Sequence, residues 1–230
     1  MAVRPIFSPL IDSIGVSEQP IDFHWHSGFA KSQKQKSIFS MHEAARALGF
    51  ANLLEISSKS ENKIGVKLSA FNLMITTKKY HKQFSVESAF QSSKVFESGG
   101  PYTDLLHKDS LSAKKDIRLK ESGNLVRFRF FNRDFPTTPR TYFYDWVYIN
   151  ALLQNQELEC ELSGFDGFTD IEFNPQKSIN CQAHAIALYQ SLKSCNLLKE
   201  AMTSPESFLE YTSEHYAKQS RNIGVQQSMV

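Results

Sequence analysis

Hydrophobic residues fall along this chain in short blocks separated by polar runs, and the spacing inside each block predicts its element. Pro5, Pro9 and Pro20 disfavour helix at the start and predict an extended lead over residues 1–21, wrapped on the surface. Ser40 and Glu43 have the spacing of a capping box, and the following AARALGF stops at Gly49, so a short helix is expected there. NLLEIS (52–57) reads as a strand, SSKSENKIG as a polar loop and VKLSAFNLMI (66–75) as a second strand. In the first of these strands Glu55 alternates with Leu54 and Ile56, which sends it to the opposite face, either solvent or the wall of a cleft.

The block FSVESAFQSSKVF (84–96) predicts a helix of about three turns, capped by Ser85 and ended by Gly99, Gly100 and Pro101. At about 100° per residue, Val86, Ala89, Phe90 and Phe96 share an arc that can be buried, while Glu87, Gln91 and Lys94 line an adjacent strip. A carboxylate, an amide and an amine on one line beside an apolar face are the makings of a site. They are also what the helix dipole favours on a solvated face, acid first and base last.

Further on, PYTDLLH opens another helix with Pro101 at its first position, and SAKKDIRLKESGNLVRFRFF reads as a β-hairpin turning at Ser122, Gly123 and Asn124. Arg127 and Arg129 share one face of its second strand, in position to meet phosphate. The densely aromatic TYFYDWVYINALL (141–153) is the expected core helix. In SGFDGFTDIEFNPQKSINCQAHAIALYQSL, Gly164 and Gly167 loosen the backbone around Asp166 and Asp170, and Ser178 is the expected cap of a long helix. Acids on such a loop suit a cleft and are equally ordinary turn formers. Beyond Lys199, Ser204 and Pro205 start one more helix, and the final GVQQSMV reads as a disordered tail. Helices and short strands mix without a βαβ rhythm, so the fold class is α+β, one mainly helical domain with a small sheet backing the cleft.

With 230 residues, 41% of them hydrophobic, and no long linker, the chain can bury a sizeable core in one domain. A net charge of +2 is too mild for a general nucleic-acid coat, so any DNA would meet a local patch. Two stretches offer one. Lys78, Lys79 and Lys82 stand together in TTKKYHKQ (76–83), a run that can track a polynucleotide or simply be solvated. Phe23, Trp25 and Phe29 come just ahead of Lys31, Lys34 and Lys36, which suits a nucleotide, with rings on a base and ammonium groups on phosphate, and equally suits core aromatics beside a solvated loop. His24 and His26 alternate as on a strand with no third ligand nearby, so no metal is expected of them. Cys160, Cys181 and Cys195 are odd in number and lack C-x-x-C spacing, which argues against a disulfide framework or zinc and fits a reducing cytoplasm. Nowhere do 18 apolar residues run together, so neither secretion nor a membrane span is expected. No glycine-rich dinucleotide fingerprint is present and no cofactor is expected.

VESAFQSSKVF resembles the Glu-aromatic-Gln-x-x-Lys-aromatic helix of the NADAR family, and LSAFN (68–72) resembles the Leu-Ser-Asn-Phe element that precedes it. FTDIEFNPQKSINCQA is similar to the family's C-terminal segment, with Asp170 and Asn180 at the matching positions. Ile171, Glu172 and Phe173 replace the usual Trp-Gly, and Ala70 stands where the family has Asn. Together with WHSGFAKSQKQKS and LEISSKS, these departures resemble the subgroup encoded beside DarT-type DNA ADP-ribosyltransferases, over roughly residues 22–198, with 199–230 a C-terminal helix and flexible tail.

The resemblance implies a hydrolase that removes ADP-ribose from guanine bases of DNA, single-stranded in the first instance, acting as antitoxin to the transferase. Rupture of a ribose C1–nitrogen bond passes through an oxocarbenium-like state, which calls for a carboxylate, an activated water and a proton for the departing amine. Glu87 is then the group that stabilises the cation and orients water, Asp170 fixes the ribose hydroxyls or shares acid–base work, and Lys94 is a proton donor or a Schiff-base nucleophile. Substrate grip falls to Ser32, Gln33, Lys34 and Lys36 near the pyrophosphate, to Trp25 or Phe29 against a ring, and to Glu55, Gln91 and Asn180. Partners implied are the modified DNA, the ADP-ribose product and the cognate toxin. Two rival expectations are an N-glycosidase on a riboflavin-pathway intermediate and a module that binds ADP-ribose or the toxin without turnover.

Overall fold

The structure is a computed structural model that describes residues 1–219. Strands β1 (Ala2–Pro9) and β2 (Val16–Phe23) open the chain, followed by helix α1 (Lys31–Arg46), strand β3 (Leu53–Glu55) and helix α2 (Lys63–Lys67). A ribbon of β4 (Met74–Thr76) and β5 (Gln83–Ser85) leads into helix α3 (Val86–Ser92) and strand β6 (Lys94–Phe96). A 3-10 turn (Thr103–His107) and short helices α4 (Ser110–Lys114) and α5 (Arg118–Glu121) precede strands β7 (Leu125–Phe130) and β8 (Arg133–Phe135). Helices α6 (Tyr142–Leu153) and α7 (Gln156–Cys160), strand β9 (Gly167–Thr169) and helices α8 (Gln182–Ser194), α9 (Leu198–Ala201) and α10 (Pro205–Lys218) complete it.

The architecture is α+β, as the patterning predicts. A four-stranded sheet ordered β2-β1-β9-β3 covers α8, a three-stranded sheet ordered β6-β7-β8 sets Phe128, Phe130 and Phe135 against Phe143 of α6, and the β4–β5 ribbon runs beside α6 and leads into α3. The main core gathers the buried faces of α6 and α8, among them Tyr148, Tyr189, Phe143 and Ile186, with Phe7 and Phe168 from the sheet. A second cluster packs Ile38, Met41 and Ala45 of α1 onto Ile6, Ile21, Phe23 and Ile171. These α1 positions recur at helical spacing, which is why that helix lies flat on the β1–β2 hairpin.

Several elements differ from their sequence expectation. The proline-rich lead is extended, but it does not wrap the surface: β1 lies inside the sheet with Ile6 and Phe7 fully buried, and Pro5 stands opposite Pro20 across the hairpin. Helix α1 starts nine residues before Ser40, whose hydroxyl does not cap it but accepts the His24 N–H at 3.1 Å, while Ser37 accepts the His26 N–H at 2.9 Å. The run at 66–75 is a strand only from Met74, because Asn62 caps α2 by accepting the Ile64 N–H and a turn follows. Helix α3 stops after two turns: the Ser92 and Ser93 hydroxyls both donate to the Ala89 carbonyl, and Lys94 begins a strand paired to Phe128. Instead of one hairpin arm, Asp109 caps the helix α4, and β7 pairs with β6 and β8. Pro101 precedes only the 3-10 turn, and the long helix α8 starts at Gln182, not after Ser178. Arg129 makes a two-pronged pair with Asp134 at 2.6 and 2.9 Å and Arg127 lies 3.5 Å from the same carboxylate, so the phosphate role expected of the two is occupied internally. The expected tail lies outside the described residues.

One close approach holds α2 against the sheet. A Cβ added at Gly65 would lie 1.9 Å from the Glu55 carbonyl oxygen and 2.6 Å from the Ser60 hydroxyl, distances that no side chain tolerates. Gly65→Ala is therefore expected to push α2 off β3 and to cost about 1–3 kcal/mol, read as a lower urea midpoint at unchanged slope. An unchanged midpoint would show that this contact does not constrain the fold.

Candidate functional site

The site is assembled by the seating of α3. Phe90 points inward and meets Tyr144 edge-on at 5.2 Å, Phe128 at 5.4 Å and Phe143 at 6.2 Å. Aromatic contacts of this kind add directional preference to area burial, so they fix the roll of the helix as well as its depth. Two main-chain bonds fix its start: the Val86 N–H donates to the Leu73 carbonyl and the Glu87 N–H to the Ala70 carbonyl, both at 2.9 Å. Ala70 is itself held by Gln182, whose Oε1 accepts the Ala70 N–H at 2.7 Å while its Nε2 donates to the Ile56 carbonyl. With Phe90 inward, Glu87 and Gln91 face a cleft of about 270 Å³ whose opposite wall holds Asp170, Phe173 and Asn180.

Within that cleft Glu87 is buried, its Oε1 accepting from Gln91 Nε2 at 2.9 Å with the Lys114 ammonium 3.7 Å away. Gln91 thus orients the carboxylate. Its own Oε1 is buried and, among the described residues, has no hydrogen-bond partner, and the same holds for the Asn180 Oδ1. Buried acceptors left open cost stability, and two of them in one cleft make a receptor for hydroxyls or N–H groups. Lys94 sits one step beyond Gln91, its ammonium 4.8 Å from the centre of the Phe90 ring. Burial lowers its pKa to about 8, with Glu87 pulling the other way and Lys114 adding to the fall.

Asp170 closes the other side. Its Oδ1 accepts the Glu172 and Phe173 N–H groups at 3.0 and 3.2 Å, and the Cys181 thiol lies 3.8 Å from Oδ2. Burial, and then the neighbouring Glu55, raise its pKa well above the ordinary carboxylate range despite those bonds. Glu55 is buried directly behind, its Oε1 accepting the Ile171 N–H at 2.9 Å and its Oε2 the Thr169 hydroxyl at 2.7 Å. Burial raises its pKa too. Thr169 gives its one proton to Glu55, so His42, 2.9 Å from the same hydroxyl oxygen, is the donor through Nε2. Burial, helped by Arg46, lowers the His42 pKa to about 4, which keeps that ring neutral near pH 7.

The cleft therefore brings together Glu87, Gln91, Asp170 and Asn180, with Lys94 beside it. Glu55 supports the Asp170 loop and does not line the wall. The other six positions expected to grip substrate are elsewhere. Phe29 is fully exposed, Ser32 and Lys36 are exposed on the first turns of α1, and Gln33 is half-buried beside Gly28. Trp25 is covered by Lys34, whose ammonium lies 4.2 Å from the ring centre, and by the Arg4 guanidinium at 5.4 Å. They stand apart from the cleft lining because α1 starts at Lys31, which lays this segment onto the β1–β2 hairpin. Lys114, Gln182, Tyr144 and Glu172 line the cleft and were not singled out by sequence; Lys114 lay in a stretch that reads as a strand, and Gln182 carries no local signal. A larger hollow of about 980 Å³ lies between the β1–β2 connection and α10 and contains none of the expected site residues.

The sequence profile of the family described as DarT1-associated NADAR antitoxin matches residues 2–222 of the chain. Among curated proteins, none matches it.

The Lys94 ammonium makes a prediction of its own. Its pKa is near 8 in the folded chain against 10.5 unfolded, so between those values the unfolded chain holds the extra proton. Stability should accordingly rise with pH through that window, by at most on the order of 3 kcal/mol from this one group. In denaturant titrations from pH 7 to about 11, the gap between wild type and Lys94→Met should shrink by that amount. A constant gap would mean that the amine is solvated.

Proposed function

The chain belongs to the DarT1-associated NADAR antitoxin family, and from that premise we propose that it is an antitoxin acting as an N-glycosidic hydrolase that removes ADP-ribose from guanine bases of DNA. The observation that carries this reading is the convergence on one sugar-sized cleft of Glu87, braced by Gln91, and of Asp170, whose pKa burial and then Glu55 raise. A cleft of about 270 Å³ suits a ribose, so the diphosphate and the rest of the ADP-ribose lie along the rim. Lys114, with its side chain half in solvent, and Lys59, 3.9 Å from Glu172, are the cations available there for phosphate.

Hydrolysis of the C1–nitrogen bond leaves positive charge on the sugar, and Glu87 is the carboxylate placed to stabilise it and to orient the incoming water. The open oxygens of Gln91 and Asn180 accept the ribose hydroxyls. Asp170 carries a proton for the departing guanine nitrogen and takes one back from water. Lys94, with a pKa near 8, has a fraction of neutral amine at pH 7. That amine can add to C1 of the ring-opened sugar, expel the guanine amine and form a Schiff base, which water then hydrolyses to ADP-ribose. As an ammonium it instead supplies a proton.

Glu87→Gln should lower the rate of ADP-ribose release from modified DNA by about 10²–10⁴-fold while ADP-ribose affinity, read by calorimetry, stays within a few-fold. Equal losses in both would reduce Glu87 to a ligand-holding role. Borohydride added during turnover should trap ADP-ribose on Lys94 and raise the protein mass; an unchanged mass would exclude the Schiff base and leave the amine as proton donor. A Glu87→Gln protein that still protected cells from the toxin would favour binding without turnover.

A further inference from the structure

A second site lies on the far side of α6. Tyr144 of that helix faces the cleft; Trp146 and Asn150, roughly half a turn around, face a separate hollow of about 420 Å³ closed by Thr77, Tyr80, Phe131 and Lys78. Three observations distinguish it from ordinary surface. First, Tyr80 and Phe131 are large aromatics left 66% and 61% exposed at its rim, with the Trp146 ring at its base. Second, Phe131 holds a φ of +45° and Asn132 a φ of +64° in the two-residue turn between β7 and β8. Such turns take Asn-Gly or Gly-Gly because a bulky side chain is strained in the left-handed region. The Phe131 ring meets Phe130 at 4.4 Å and Phe84 at 6.1 Å and leaves the rest of its surface open. Third, the loop beside these rings contributes Lys78, Lys79 and Lys82 with no acid among residues 76–83, and the Lys79 ammonium already lies 5.1 Å from the Tyr80 ring centre.

We propose that this hollow docks a single strand of nucleic acid, with one unstacked base entering against Phe131, Tyr80 and Trp146 and its phosphates running along Lys78, Lys79 and Lys82. Flat rings open to solvent beside a row of ammonium groups are what an unpaired strand requires, since every base has a π-face and every linkage a charge. An apolar peptide would use the rings and leave the lysines idle. The hollow is chemically independent of the cleft, but its use in catalysis rests on the reading above, in which the modified base belongs to DNA. The unmodified part of the strand is then held here while ADP-ribose occupies the cleft. Phe71 lines both the cleft and a further hollow that reaches Met74, Gln83 and Phe84 of the β4–β5 ribbon, and Ile75 and Thr76 of the same ribbon line the strand site.

The test uses the full chain and a fluorescein-labelled, unmodified single-stranded oligonucleotide of about a dozen nucleotides. Binding should be seen by anisotropy and should quench Trp146 fluorescence in a Trp25→Phe background. Replacing both Tyr80 and Phe131 with Ser should weaken binding about tenfold or more and abolish the quench. Replacing Lys78, Lys79 and Lys82 with Ser should lower the slope of log affinity against log salt by about 2. All five side chains are exposed or on the loop surface, so these variants keep the fold. Affinity and slope unchanged in both variants, or no oligonucleotide binding by the wild type, would overturn the proposal. A parallel assay with ADP-ribosylated guanosine, which has no strand to dock, separates the two readings. Variants that turn over the nucleoside normally but need more of the modified oligonucleotide support the strand site; variants that lose both equally refute its catalytic use. A wild-type protein that hydrolyses neither substrate, yet binds the oligonucleotide through these residues, refutes the hydrolase reading and leaves the docking site standing.

Discussion

The rest of the site depends on where one ring goes. Phe90 is held by Tyr144, Phe128 and Phe143, residues that come from a helix and a strand far apart in the chain. A helix of two turns has little intrinsic stability, so α3 exists because this aromatic pocket and the Leu73 and Ala70 carbonyls hold it. Once Phe90 is inward, helical geometry sends Glu87 and Gln91 to one side, and the chain leaving the helix lays Lys94 over the same ring. The carboxylate, the amide and the amine are thus positioned from a single anchor. Their mutual geometry survives small movements of the surrounding loops because all three move with it.

The opposite wall is held differently, by polar groups that had to be buried together. Glu55 and Asp170 stand in the same network, where burial raises the pKa of both and Glu55 adds to the rise at Asp170. Buried carboxyl groups are costly unless they are hydrogen-bonded, and here the Thr169 hydroxyl and the N–H groups of Ile171, Glu172 and Phe173 bond to them. His42 joins α1 to this knot through Thr169. Such a network rigidifies the Asp170 loop at the expense of stability, which is an ordinary exchange where a proton must be held in a dry place.

The mixed α+β class is legible in the sequence, and part of the expected site falls at one cleft. Glu87, Gln91, Asp170 and Asn180 converge although the element carrying the first two is shorter than its periodicity predicts. The strip of three survives the loss of the third turn because a strand leaving a helix end continues in nearly the same direction over a residue or two. Core helices α6 and α8 were legible from their apolar density. Serine before a periodic block predicts a helix cap, which holds at Ser85 and Ser204 and not at Ser40 and Ser178. Ser40 and Ser178 instead sit in mid-helix and in a loop, and Ser92 and Ser93 end a helix that was expected to continue. A hydroxyl can bond to backbone in several conformations, so its local pattern does not choose among them; the tertiary partner does. Pro5 and Pro20 predict extended chain, as found, but not its pairing inside a sheet. A strand tolerates proline where its N–H is not needed, and only the pairing partner decides that.

The displacement of the aromatic and basic segment at 23–36 changes where charge acts on the site. The Arg4 guanidinium lies over the Trp25 ring, where burial lowers its pKa and Asp170 acts against that fall. Neither Arg4 nor Trp25 lines the cleft. At the cleft itself Lys114 and Lys94 act on Glu87, and no arginine lines it among the described residues. This arrangement fits a ligand whose anionic end remains at the rim while its neutral sugar enters, since a phosphate driven fully inside would meet Glu87 and Glu172.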